Sequence, residues 1–409
     1  MKLELRSSLK DEEPHKNQMI QIAEIQEAIR GEGLDGWLFF DHHERDALAY
    51  RVLNFRPAAS VTRRWYYFIP AEGEPKGLVH RIESSVLDPL PGNKLVYSSW
   101  SKQIDGLKQI LGKSRRVAMQ YSPNCAVPYV SMVDAGTVEL VRGLGVDVAT
   151  SAGLIQLFEA RWTPDQLKAH LEAGRRVDAI RAAAFAKVRE NLAAGMAIGE
   201  LYVKRFILES FERAGLLTDH GPIVAVNRNM SNPHYEPMDG RSEAIRKGDG
   251  LLIDMWAKLN EPDAVYYDIT WTGFCGTEPP DDLVRIFETV RGARDAAISR
   301  VKQAAETGED LRGFQVDDAA RSYIDGQGFG EYFVHRTGHS IGEEVHGTGA
   351  NMDNLETHDD RRVIPGTCFS IEPGIYLPDL GARSEVNMYV GEREAMVTGE
   401  IQQELVRIA

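Results

Sequence analysis

Cysteine is scarce in this chain. Cys125, Cys275 and Cys368 are the only three in 409 residues, far apart and without paired spacing. A disulfide framework is therefore not expected, a reducing compartment fits, and each thiol is expected as a small buried apolar residue. Positive charge is also in deficit. Lys and Arg number 47 against 61 Asp and Glu, a net charge of −14. That sign opposes phosphate backbones and anionic membranes, so neither is expected as a partner. Long apolar runs are missing too: nothing approaches the about 18 residues of a membrane-spanning helix. The opening "MKLELRSSLKDEEPHKNQ" lacks the apolar stretch of a secretory signal, so the cytoplasm is the expected compartment. What remains, 43% hydrophobic and 26% charged residues, is the balance of an ordinary globular protein. At this length two domains are expected.

The first part of the chain alternates helix and strand signals. "QIAEIQEAIRGEGLDG" has helical apolar spacing closed by glycines, and "WLFF" follows as a strand. "RRWYYFIP" and "GLVHRIE" read as strands, "SKQIDGLKQIL" as a helix and "RVAMQYS" as a strand. This is an α/β domain, placed at residues 1–158 with its boundary near 155–162. The texture then changes. Thr163 is an expected N-cap, with Pro164 at the first helical position and Gln166 completing a capping box. A long helix follows, then a second one, "GELYVKRFILESFERAG", stopped by Gly215. Residues 159–409 form the second domain, expected as α+β.

That second domain carries a faint internal repeat. "KGDGLLID" leads to "YYDITWTG", and "PGTCFSIE" leads to "ARSEVNMY". Asp254 and Asp268 are 14 apart, Glu372 and Glu385 are 13 apart, and each block follows two helix-like segments. Two similar halves are expected, each with helices backing a strand hairpin that carries two acids. Carboxylates in such apolar strands would be buried, and a bare buried charge is very costly. Any one of them could be a satisfied hydrogen-bond acceptor, but two matched pairs point to metal.

Between the two acidic blocks runs "HRTGHSIGEEVHG", with His335, His339 and His346. A polar solvated loop is one reading of it. The spacing of His335 and His339 also matches the two-histidine helix of zinc proteases, but no Glu follows the first His, and the glycines make a helix poor. Two Asp, two Glu and one His would instead hold two divalent ions. Such oxygen-rich ligation favours manganese, cobalt or iron over structural zinc.

These segments taken in order, "NPHYEP", "LLIDM…YYDITWTGF", "TGHSIGEEVHG", "SIEPGIY" and "GARSEV", resemble the metallopeptidase superfamily of methionine aminopeptidase, aminopeptidase P and prolidase. "IQEAIRGEGLDGWLFFDHHERDALAYRVLNF" is similar to the creatinase/prolidase N-terminal domain. The resemblance covers essentially the whole chain. It implies a pita-bread catalytic domain with pseudo-two-fold symmetry. It also implies a metallopeptidase of the Xaa-Pro dipeptidase or aminopeptidase type acting on small peptides. By position, Asp254 would bind one metal, Asp268 and Glu385 would bridge both, and His339 and Glu372 would bind the other. Manganese is the first expectation, with cobalt, zinc or iron as alternatives. His234 in "NPHYEP" and His346 match substrate-side histidines, although His234 taken alone is also an ordinary surface-loop residue. His335 matches a further active-site histidine of the proline-specific branch, and Arg383 an arginine beside the bridging glutamate. Glu372 would carry the proton. A homodimer is implied as well, with "DHHERD" and "TRRWYY" as candidate border residues.

The match has departures. Family members usually read Asp-x-Gly after the first ligand, with a shorter spacing to the second. Here no glycine follows Asp254, and Trp271-Thr272 replaces the usual Arg-Thr. Asn260, Pro262 and Asp263 are turn formers, so the extension is expected in the loop "AKLNEPD". Trp256 and Trp271 would line the pocket or fill the core. Three other functions remain on the same fold. They are a metal-dependent hydrolase or lyase acting on a small zwitterion, a metal-free creatinase-like amidinohydrolase, and a binding module.

Overall fold

The computed structural model describes residues 22–57 and 60–409. The segment read as lacking a secretory signal lies outside the described residues. The chain divides into two compact units: one reaches Tyr121 and includes Val130–Leu154, and the other joins Ser122–Tyr129 to Ile155–Ala409. Among the described residues, no helix is long and apolar enough to cross a membrane.

The first unit is built on a six-stranded mixed sheet, ordered Asn93–Tyr97, Lys76–His80, Trp65–Pro70, Gly36–Asp41, Arg116–Met119, Asp147–Thr150. Gly36–Asp41 is buried throughout, as the continuous apolar run requires. Helix Trp100–Leu111 starts at Ser99, whose side chain accepts from Lys102 N, and buries Leu107 and Ile110 against Leu38, Tyr66 and Val117. The strand expected over "GLVHRIE" is shorter. It ends at His80, whose Nδ1 accepts from Ile82 N at 3.2 Å and turns Arg81–Glu83 into a 3-10 helix.

In the second unit, helix Pro164–Ala193 opens with the expected capping box between Thr163 and Gln166. It packs with Glu200–Arg213 against one face of the strand Gly250–Leu259, burying Ala173, Val177, Ile253 and Met255. Helices Asp281–Thr307 and Gly313–Gly326 pack around the strands that follow them, burying Val290, Val316, Phe369 and Met388. Each half thus has a helix pair backing its acidic strands.

The two hairpins differ. Gly250–Leu259 pairs continuously with Tyr267–Phe274. The strand runs on to Leu259, where Lys258 and Leu259 pair with Leu217 and Leu216. The extension expected in the loop is therefore partly strand, and the turn is made around Asp263, at φ 58°. The expected second hairpin is broken in two. Cys368–Ile371 pairs with Val386–Val390, and Gly374–Leu377 pairs with Leu380–Arg383. Glu372 and Glu385 face each other across the gap. The ladder stops there because Pro373 has no N–H and the acids spend theirs elsewhere. Glu372 N donates to Thr337 O at 2.7 Å, and Glu385 N to Thr270 O at 3.1 Å.

All three cysteines are free, and Cys275 and Cys368 are buried. Cys125 corrects the expectation: it is exposed, in a turn where its φ is 56°.

Candidate metal centre

The register of the first hairpin sets its acids. Asp254 pairs with Thr270, and Trp256 pairs with Asp268. Cross-strand partners share a face, so these four side chains all lie on one side of the sheet. Asp254 is 6% and Asp268 4% exposed. The second pair arrives from the break in the other hairpin. Thr270 joins the two: its hydroxyl donates to Glu385 Oε2 at 2.8 Å and accepts from Arg383 Nε at 3.0 Å. His339 precedes the short strand Ser340–Ile341. Its N donates to Ser370 Oγ at 3.0 Å, and its carbonyl accepts from Ser370 N at 2.9 Å.

Donor atoms of Asp268, His339 and Glu385 lie within 4.8 Å of one another. His339 Nε2 is 3.6 Å from Asp268 Oδ2 and 3.4 Å from Glu372 Oε1. Its Nδ1 lies 3.1 Å from Ser340 O. That contact keeps the proton on Nδ1 and leaves the Nε2 lone pair facing the acids. Asp254 stands apart from the triad and is held by Arg383 Nη2.

Burial raises every acid here. It pushes Asp254 up to about 6 and Asp268 up to about 7, with the Arg383 charge opposing both. Burial raises Glu372 too, and His339 opposes it. Glu385 goes well above the carboxylate range through burial and then the charges of Asp268, Glu372 and Asp254. Four such groups cannot share one buried space as anions with Arg383 alone to balance them. Asp268 Oδ1 is buried with no hydrogen-bond partner among the described residues. The orphaned oxygen and the O/N donor set both fit a divalent ion.

The histidine loop is pinned from outside. Asp317, fully buried, accepts from Thr337 N at 2.8 Å and Thr337 Oγ1 at 2.7 Å, and it pairs with Arg321 at 2.9 Å. Arg321 Nη2 in turn donates to His335 O at 2.9 Å. Gly338 runs so close to the acidic strand that a Cβ there would stand 1.8 Å from Ser370 O. The glycine of "TGH" is a packing requirement.

A family model, metallopeptidase family M24, matches residues 169–392, and this range contains all five candidate metal ligands. The chain belongs to family M24. An Xaa-Pro dipeptidase from Lactobacillus helveticus is 32% identical over 245 residues, 58% of this chain and 59% of that one. The match spans about half to three-fifths of the first curated relatives. Among solved structures, dipeptidase PepE from Mycobacterium ulcerans superposes with a TM-score of 0.69 at 24% identity, covering 95% of this chain and 96% of that one. A dipeptidase from Pyrococcus horikoshii gives 0.59 at 26% identity, covering 94% and 99%. The likeness to the first is one of fold, the pita-bread fold of M24.

The candidate site has more parts than the motifs announced. His346 stands edge-on to His339, with ring centroids 4.4 Å apart, and the His339 charge with burial lowers it to about 3. His234 is exposed. Its loop is anchored by buried Glu200, which accepts from Tyr235 OH at 2.6 Å, Asn229 Nδ2 at 2.8 Å, Val226 N at 2.9 Å and Glu243 N at 2.7 Å. His335 is not in the acidic cluster. Its Nε2 meets Tyr376 OH at 2.7 Å, and Arg383 Nη1 donates to that same oxygen at 3.2 Å. Tyr376 was not singled out from the sequence, although it closes the "SIEPGIY" segment. Glu200, Thr270 and Asp317 were not singled out either, although Thr270 lies within "YYDITWTGF".

The two tryptophans part ways. Trp256 lies on the site's face, with Nε1 donating to Asp219 Oδ1 at 2.7 Å. Trp271 packs with the first helix pair, 3.4 Å beneath the Arg181 guanidinium.

Proposed function

We propose that the protein is a dinuclear-metal-dependent Xaa-Pro peptidase that hydrolyses the bond preceding proline, acting as a homodimer on small peptides. Asp254, Asp268, His339, Glu372 and Glu385 would hold two divalent ions, with manganese first and cobalt, zinc or iron as alternatives. One observation carries this reading: Asp268, His339 and Glu385 converge within 4.8 Å in a chain of family M24.

The bound ions supply Lewis acidity and a nucleophilic water at neutral pH. The protein's own groups do the rest. Glu372, raised by burial and 3.4 Å from His339 Nε2, takes a proton from the attacking water and passes it to the leaving nitrogen. The new C–O bond replaces the C–N bond, and the proline nitrogen leaves as an amine. A tertiary amide nitrogen carries no hydrogen, so the ring is recognised by shape, with His335 beside it. His234 and His346 hydrogen-bond the carbonyl oxygen or the leaving group as charge develops. Arg383, tied to Asp254 and Tyr376, keeps the first ligand oriented.

A second reading rests on Trp256, an indole on the site's face where the family has glycine. An indole takes up more room on that face than a glycine and would suit a small non-peptide zwitterion. A hydrolysis panel separates the two. Protein is stripped, reloaded with Mn, Co or Zn, and given Ala-Pro, Ala-Pro-Ala and Ala-Ala. Metal-dependent cleavage before proline supports the peptidase. Full metal loading without cleavage of any peptide moves the assignment to the zwitterion reading.

A further inference from the structure

The strand that carries Asp254 does not end at the metal centre. It runs on through Trp256 and Lys258 to Leu259, and strand alternation puts Asp254, Trp256 and Lys258 on one face. Lys258 lies one residue beyond the last pair of the hairpin ladder, Ala257 with Tyr267. There the hairpin tip meets the histidine loop. Tyr266 N donates to Gly342 O at 2.9 Å. Half-buried Lys258 donates from Nζ to Glu343 O at 2.7 Å, and the same Nζ lies 5.2 Å from the centre of the Tyr266 ring. Val345 closes the contact, buried with Val265 and Tyr266. An ammonium on a carbonyl is a charge-assisted bond, and the aromatic face steadies the same charge. The loop has little regular structure of its own here. Its strand, Ser340–Ile341, is two residues long, and two adjacent exposed acids, Glu343 and Glu344, follow before His346.

We propose that Lys258 is a positioning residue: it holds the turn from Gly342 to Val345 so that His346 stays edge-on to His339, with ring centroids 4.4 Å apart. This rests on the Xaa-Pro reading, in which His346 meets the carbonyl oxygen or the leaving group. Lys258 acts on turnover only through that histidine. A transition-state donor displaced by about 1 Å loses much of its worth. The lengthened first hairpin thereby acquires a use, because its extension supplies the lysine that reaches the loop.

The test uses the full chain loaded with manganese, with Ala-Pro as substrate. Lys258→Met keeps the stem and removes the donor, and Lys258→Arg restores a donor. Lys258→Met lowers kcat roughly tenfold, the worth of one charge-assisted bond, and leaves KM and metal content unchanged. Lys258→Arg recovers most of kcat. In a His346→Ala background, Lys258→Met costs less than about twofold more, because the group it positions is already gone. Full multiplication of the two losses, or wild-type kcat in Lys258→Met, overturns the proposal. So does a stripped metal, since the lysine would then act through His339. Hydrogen exchange of the amides from 342 to 347 reads the loop without turnover. Exchange is about tenfold faster in Lys258→Met and returns towards wild type in Lys258→Arg. If no peptide is cleaved but exchange rises in this way, the lysine clamp stands and the peptidase reading falls. Unchanged exchange overturns the clamp itself.

Discussion

Asp268 and Asn387 exchange two hydrogen bonds. Asp268 N donates to Asn387 Oδ1 at 3.0 Å, and Asn387 Nδ2 donates to Asp268 O at 2.9 Å. The side-chain amide thus closes a ladder between two different sheets, at a proposed metal ligand. Asn387 is fully buried. Asn387→Ala leaves a buried N–H and C=O unpaired, at a cost of about 2–4 kcal/mol. Chemical denaturation measures that loss, and metal titration of the same variant shows weaker binding. Asn387→Asp keeps the acceptor and loses the donor, so it also puts an acid beside Asp268 and weakens metal binding further.

Gly338 sets the approach of the histidine loop to the acidic strand. A methyl group 1.8 Å from Ser370 O has no room. Gly338→Ala pushes His339 off the strand, destabilises by about 1–3 kcal/mol, and lowers metal occupancy. Gly342, where a Cβ would meet nothing nearer than 4.0 Å, is the control. Gly342→Ala leaves occupancy unchanged.

His170 is fully buried, with its ring nitrogens 2.7 Å from Tyr266 O and 2.6 Å from Thr398 Oγ1. Burial lowers it from 6.5 to about 4. A depressed folded value means the unfolded chain binds the proton first. The stability from this group is complete above 6.5 and is lost as pH falls towards 4. The shift is worth about 3 kcal/mol across that window. Urea midpoints from pH 7 to pH 4 show it, and His170→Gln flattens the slope.

His346 packs on the proposed ligand without joining the triad. His346→Ala is expected to retain the bound metal and lower kcat by roughly 10²–10³-fold, the scale of losing one transition-state donor. Elemental analysis and steady-state kinetics on one preparation check both halves. A stripped metal would mean that His346, not His339, is the ligand.

Much of this was legible in the sequence where the signal was local. The Thr163–Gln166 box spans one turn, and "LLID" announces a buried strand that carries an acid. The broken second hairpin was not legible, because it depends on where Glu372 and Glu385 send their N–H groups. Those partners, Thr337 and Thr270, lie on other elements. The Arg336–Tyr129 bond spans 207 positions and the Arg383–Asp254 pair 129. No spacing rule reaches that far. For Trp271 the sequence left pocket and core both open. Strand alternation turns it to the opposite face, against Arg181.

The central claim is that five side chains hold two ions around Asp268. The most direct test is elemental analysis of the purified, manganese-loaded chain beside Asp268→Ala, with hydrolysis of Ala-Pro read on both. The account predicts two ions per chain and turnover in the wild type, and neither in the variant. An Asp268→Ala protein that keeps two ions, or that turns over normally, would contradict it.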